Sequence, residues 1–139
     1  MDTDTQFVQA FESCTLPPSK FRHAQHVKLA WLYLREEPAP LALMRFVAGL
    51  KRFAVANGVP DLYHETITWA YVCLIHERME RTGKDIGWDE FARLNADLFQ
   101  RDFLSHYYSP KTLSSALARK VFLFPDRGGQ NIGDQTVVQ

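Results

Sequence analysis

The chain has 139 residues, near the commonest size of one domain, and its 46% hydrophobic and 13% aromatic content supplies a real core. Its 16 basic and 16 acidic residues cancel, which removes the electrostatic footprint of a nucleic-acid binder and the polybasic segment that favours anionic membranes. Two cysteines are too few for a disulfide framework, no stretch is long and apolar enough to span a bilayer, and the polar start lacks the apolar core of a signal peptide. A cytoplasmic protein is expected.

The predicted elements are helices punctuated by Pro and Gly. The first covers 4–13, with Phe7, Ala10 and Phe11 on one side, and Pro17 and Pro18 follow it because neither continues a helix interior. The second covers 22–36, where Val27, Ala30, Trp31 and Leu34 follow the amphipathic spacing. Pro38 and Pro40 end it and open a third over 40–57. Leu43, Phe46, Val47, Leu50, Phe53 and Ala54 form its apolar stripe, Arg45, Lys51 and Arg52 lie off it, and Asn57-Gly58 is the stop. The fourth helix is expected over 62–82, with Asp61 as N-cap. It is apolar on nearly every face from 67 to 75, which predicts a central buried helix with Cys73 as a buried free thiol.

A fifth helix over 88–99 turns Trp88, Phe91, Leu94 and Leu98 inward. Ser109-Pro110 reads as N-cap and first helical position of a short helix to 120. Beyond Pro125 the chain reads as loose or extended. No period of two is sustained, so the expected fold is all-α: a compact bundle of about five to six helices, one domain over 1–126 and a tail over 127–139. Short connections predict antiparallel neighbours, which makes the second and fourth helices parallel, with their N-terminal ends together.

Two polar clusters interrupt these apolar patterns. With about 100° per residue, His23 shares a direction with Val27, Ala30 and Leu34, and His26 lies about 60° away on the edge of the same stripe. Two imidazoles at this spacing can reach one metal or one substrate group. They can equally be core histidines, each satisfied by a carbonyl or carboxylate. The second cluster is Tyr63-His64-Glu65-Thr66. His64 lines up with Thr68, Tyr71 and Ile75, and Glu65 with Trp69, Val72 and His76. The positive end of a helix dipole there stabilises the Glu65 carboxylate and disfavours a charged His64. Alternatively, Glu65 only satisfies the helix start.

The site expectation is that His23, His26 and His64 converge on one pocket at helix N-termini as candidate catalytic residues. Glu65 would orient or acidify a histidine acting as general base. Tyr63, Thr68 and Trp69 are candidate ligand-binding residues at its wall, and Tyr107 and Tyr108 are candidates bordering a cleft, or simply loop packing. A divalent transition metal, weakly bound, would use His23, His26 and His64. No standard metal motif is present: His64-Glu65 is not followed by the spacing of H-E-x-x-H, and there is no pair of Glu-x-x-His motifs. Gly-x-Gly-x-x-Gly, the P-loop and Gly-x-Ser-x-Gly are also absent. The functional expectation is a small-molecule-binding or catalytic protein favouring an anionic ligand, with the reaction open. The alternative is a non-catalytic interaction or homodimeric module.

The combined pattern Phe21-Arg22-His23-Ala24-Gln25-His26-Val27, Tyr63-His64-Glu65-Thr66-Ile67-Thr68-Trp69 and Tyr107-Tyr108-Ser109-Pro110 resembles a family of small bacterial all-helical proteins marked by F-x-H-x-x-H and Y-H-E-T motifs. The resemblance covers about 7–126. It implies a small bacterial helical protein, and no activity, substrate, cofactor or catalytic role.

Overall fold

The computed structural model describes residues 2–128, and among them there are seven α-helices and no strand. The expected tail over 127–139 lies mostly outside the described residues. The helices are α1 (Thr3–Glu12), α2 (His23–Glu36), α3 (Ala39–Ala56), α4 (Glu65–Thr82), α5 (Trp88–Leu94), α6 (Pro110–Leu113) and α7 (Ala116–Lys120). The first three match their apolar periodicities closely. Helix α4 packs against α2, α3, α5 and α7, so it is the element around which the fold is built.

Close packing starts with rings. Phe11 of α1 is fully buried and meets Phe21 at 4.9 Å and Phe53 of α3 at 5.6 Å. Gly49 makes this approach possible: a Cβ there would stand 2.5 Å from the Phe11 ring. Trp31 of α2 meets Trp88 and Phe91 of α5 at 5.3 and 6.2 Å, which closes the other side. A polar clasp joins the first three helices. Glu12 accepts hydrogen bonds from the Tyr33 hydroxyl (2.6 Å) and the Arg45 guanidinium (2.8 Å), and Arg45 also reaches Glu37 at 2.8 Å. Desolvation opposes ionisation of Glu12, but these two donors hold its carboxyl below the usual range.

Four expectations are corrected. Helix α4 begins at Glu65, not at 62, and its N-cap is His64, not Asp61, which sits in a 3₁₀ turn over Pro60–Leu62. Cys73 is exposed, on a face of α4 that no neighbour among the described residues covers. The fifth helix stops at Leu94, which is 45% exposed, not inward. There the fully buried Asn95 turns its amide back onto the Phe91 carbonyl (3.0 Å) and competes with the helix ladder; a 3₁₀ turn over Ala96–Phe99 follows. The helix starting at Pro110 divides in two, because Ser115 caps a new start through a 3.1 Å bond to the Ala118 amide.

The segment after α7 is extended and fastened. The buried Thr66 hydroxyl donates to the Val121 carbonyl (2.8 Å) and accepts from the Leu123 amide (3.1 Å). Asp126 takes bonds from the Ser109 amide and hydroxyl and from Thr112, and these donors hold its carboxyl at about 2. Among the described residues no helix is long and apolar enough to cross a membrane.

Candidate functional site

A cleft of about 440 Å³ opens between the start of α2, the end of α3 and the start of α4. Its walls are mainly apolar, with Phe21, Leu50, Phe53 and Ile67, and its polar groups include His26, His64, Tyr63 and Thr68. An inner chamber of about 70 Å³ adjoins it and contains His23 and Tyr71. The two spaces share His26, Leu50, Ile67 and Thr68 as common wall. His23 and His64 therefore line different spaces, and His26 lines both.

Parallel helices put these residues together. The C-terminal ends of α2 and α4 share a separate charged cleft lined by Leu34, Glu37, Met79 and Glu80, while their N-terminal ends share the histidine cleft. Side-chain direction then separates the roles. The His23 ring lies edge-on to Tyr71 at 5.0 Å and its Nε2 donates to the Leu98 carbonyl at 2.9 Å. That leaves Nδ1 as its one uncommitted nitrogen.

His64 is committed on both sides. Its extended backbone (φ −133°, ψ 111°) lets Nδ1 accept from the Ile67 amide at 3.1 Å, and Nε2 lies 2.7 Å from the Leu113 carbonyl. An amide can only donate and a carbonyl can only accept, so the proton sits on Nε2 and the Nδ1 lone pair is used. This histidine caps α4 and pins the turn after α6. It has no lone pair left for a metal or for proton abstraction, despite lining the cleft.

His26 differs from both. No side chain among the described residues hydrogen-bonds to its ring, which stacks on Phe21 with centroids 4.0 Å apart. Burial, and then the electrostatic influence of neighbouring His23, push its pKa down to about 4, with a smaller opposing contribution from the Phe21 backbone. The ring is neutral near pH 7, and its nitrogen turned away from the Phe21 backbone is left to meet a ligand. A proton acceptor this weak is poorly matched to general-base work at neutral pH.

The remaining candidates are placed as follows. Glu65 starts α4 but lines neither space; the Tyr63 hydroxyl donates to its Oε1 at 2.5 Å. Burial first, and then this bond, raise the Tyr63 phenol well above its usual range. Thr68 lines both spaces, while its hydroxyl is turned to the His64 carbonyl at 2.7 Å. Trp69 stacks on Phe122 at 5.3 Å, on the side of α4 away from the cleft lining, and its indole nitrogen is buried without a partner among the described residues. Tyr108 is a core residue with its hydroxyl on the Leu123 carbonyl at 2.7 Å, and Tyr107 packs on Phe103 at 5.9 Å. Neither tyrosine lines the cleft or its chamber.

Among the described residues no three His, Cys, Asp or Glu side chains come together in an arrangement that could hold a metal ion. No more than two of the three histidines line one space, His23 and His26 the chamber and His26 and His64 the cleft, and both nitrogens of His64 are taken by backbone groups. Sequence reasoning missed Leu50, Phe53 and Tyr71 as cleft residues. The first two stand in the α3 apolar stripe, where periodicity marks core and cleft alike; Tyr71 was visible as the residue in line with His64.

An all-α protein with a histidine at the neck of an apolar cleft is the class that this fold and site define. No protein-family model, curated protein or solved structure matches the chain.

Proposed function

We propose that this protein binds a small, largely apolar molecule in the α2–α3–α4 cleft, with His26 as its main polar contact. The observation that carries this reading is the His26 ring: it is neutral, lacks a side-chain partner among the described residues and stands between two spaces walled mainly by apolar groups. A cleft of about 440 Å³ falls within the ~300–1,000 Å³ typical of small-molecule sites, which combine apolar walls with a few oriented polar groups. The environment of His26 favours hydrogen bonding over proton transfer, and Glu65 is bound to Tyr63, so binding is preferred here to catalysis. An anion preference has no support at the α4 helix start, where His64 already takes the Ile67 amide. Such a preference has to come from side chains.

The test is a ligand-observed NMR screen of small aromatic and aliphatic fragments, followed by titration with imidazole resonances assigned. Binders should shift the His26 ring, and His26→Phe should weaken those with a hydrogen-bonding group by about tenfold, one net hydrogen bond. Fragments that bind elsewhere, with the His26 ring unshifted, would overturn the reading.

A second reading, an interaction or homodimeric module, is favoured by Leu41, Met44 and Val55, which lie along one face of α3 and are 50, 67 and 65% exposed. Sedimentation equilibrium decides it: a dimer lost on Met44→Lys supports this reading, and a monomer at high concentration removes it.

A further inference from the structure

The apolar cleft is lined on one side by Tyr63. That ring is also a wall of a second cleft, of about 460 Å³, between α3, the Pro60–Leu62 turn and α7. This second cleft carries three cations, Lys51, Arg119 and Lys120, against one carboxylate, Asp61. The imbalance is local, because the whole chain is neutral. None of the three cations forms a salt bridge among the described residues. Arg119 is oriented by the Asp61 carbonyl at 2.9 Å, and Lys51 stands 5.1 Å over the Tyr63 ring. Apolar side chains are exposed on both sides of Tyr63: Leu62, lining the histidine cleft, is 68% exposed, and Val55, lining the basic cleft, is 65% exposed.

We propose that the ligand is a single amphipathic carboxylate, with its apolar part in the histidine cleft and its charged head among Lys51, Arg119 and Lys120. The proposal rests on the small-molecule reading above and names its substrate class. Three cations without a carboxylate partner among the described residues attract an anion, and Tyr63, which lines both clefts, puts that head next to the apolar space that holds His26. A molecule without charge would leave the basic cleft unused; a small hydrophilic anion would leave the apolar cleft unused. Only an amphiphile fills both.

The test is isothermal titration calorimetry of the full chain with decanoate and with decanol, both as monomers in solution, at low and high salt. Decanoate should bind about tenfold more tightly than decanol at low salt, and the advantage should shrink at high salt. Lys51→Gln and Lys120→Gln should each reduce decanoate affinity by up to about fivefold and leave decanol unchanged. Circular dichroism verifies that the variants are folded. Equal affinity for the two probes would overturn the proposal while leaving the cleft reading intact. A carboxylate preference that both lysine variants retain would overturn it too, since the head would then lie elsewhere. Binding of neither probe would overturn both readings.

Discussion

At the scale of single residues, three histidines of one composition class have three different fates, set by what their nitrogens meet. His64 has both nitrogens bound to backbone and caps a helix; His23 has one bound; His26 has no side-chain partner among the described residues. A pH experiment exposes the difference. His26 titrates at about 4 in the folded protein and near 6.5 unfolded. Between those values the unfolded chain binds the extra proton, so stability rises with pH there. Above about pH 6.5 the residue has no effect; as pH falls toward 4 the fold loses stability, by up to about 3 kcal/mol from this group. Urea unfolding from pH 7 to 4.5 should show that loss, and His26→Phe should flatten the curve. An unchanged slope in the variant would mean that the ring is protonated in the fold. Both histidine motifs were legible in the sequence, but periodicity could only give directions. Hydrogen-bond partners 75 and 49 residues away, Leu98 and Leu113, settled the roles.

At the scale of elements, the α1–α3 contact turns an intrinsic liability into a requirement. Glycine inside a helix is about 1 kcal/mol less favourable than alanine, so Gly49→Ala in an isolated α3 would be stabilising. In the folded chain the added methyl meets the Phe11 ring at 2.5 Å, and that ring is hemmed in by Phe21 and Phe53. Overpacking should exceed the propensity gain and leave Gly49→Ala about 1–3 kcal/mol less stable. A lower urea midpoint with an unchanged slope is the expected result; a higher midpoint would show that Phe11 has room to move. The helix boundaries were legible where proline and glycine impose them, at Pro38, Asn57-Gly58 and Gly83. They were misread where side chains set the limits, at the His64 cap and at Asn95.

At the scale of the whole molecule, the segment following α7 holds the end of the described chain onto α4. Thr66 alone serves two backbone groups of that segment, the Val121 carbonyl and the Leu123 amide, from a fully buried position. Thr66→Val conserves shape and removes both bonds. Leaving two half-buried groups unpaired should cost about 2 kcal/mol, at the low end of roughly 1–3 kcal/mol per group. The expected readout is faster hydrogen exchange at the Leu123 amide together with a lower Tm. A lower Tm with the Leu123 amide still protected would assign the loss to α4 packing and not to the fastening. The sequence predicts a loose or extended chain beyond Pro125. Yet Asp126 anchors it to the α6 cap, and the Arg127 amide reaches the Tyr107 carbonyl at 2.9 Å.

By itself the sequence determined the all-α class, the order of the helices, the core stripes of α2 and α3 and the parallel course of α2 and α4. All of these follow from local periodicity, helix breakers and short connections, which act within a few residues. The tertiary structure alone decided which histidine is free, that Glu65 answers to Tyr63, and that Leu50 and Phe53 border a cleft. It also decided that Lys51 meets Arg119 and Lys120, from a helix nearly seventy residues later in the chain. An inward direction on a helical wheel does not distinguish a packed interior from an open cleft. That depends on what the other helices leave uncovered, a property of their packing together.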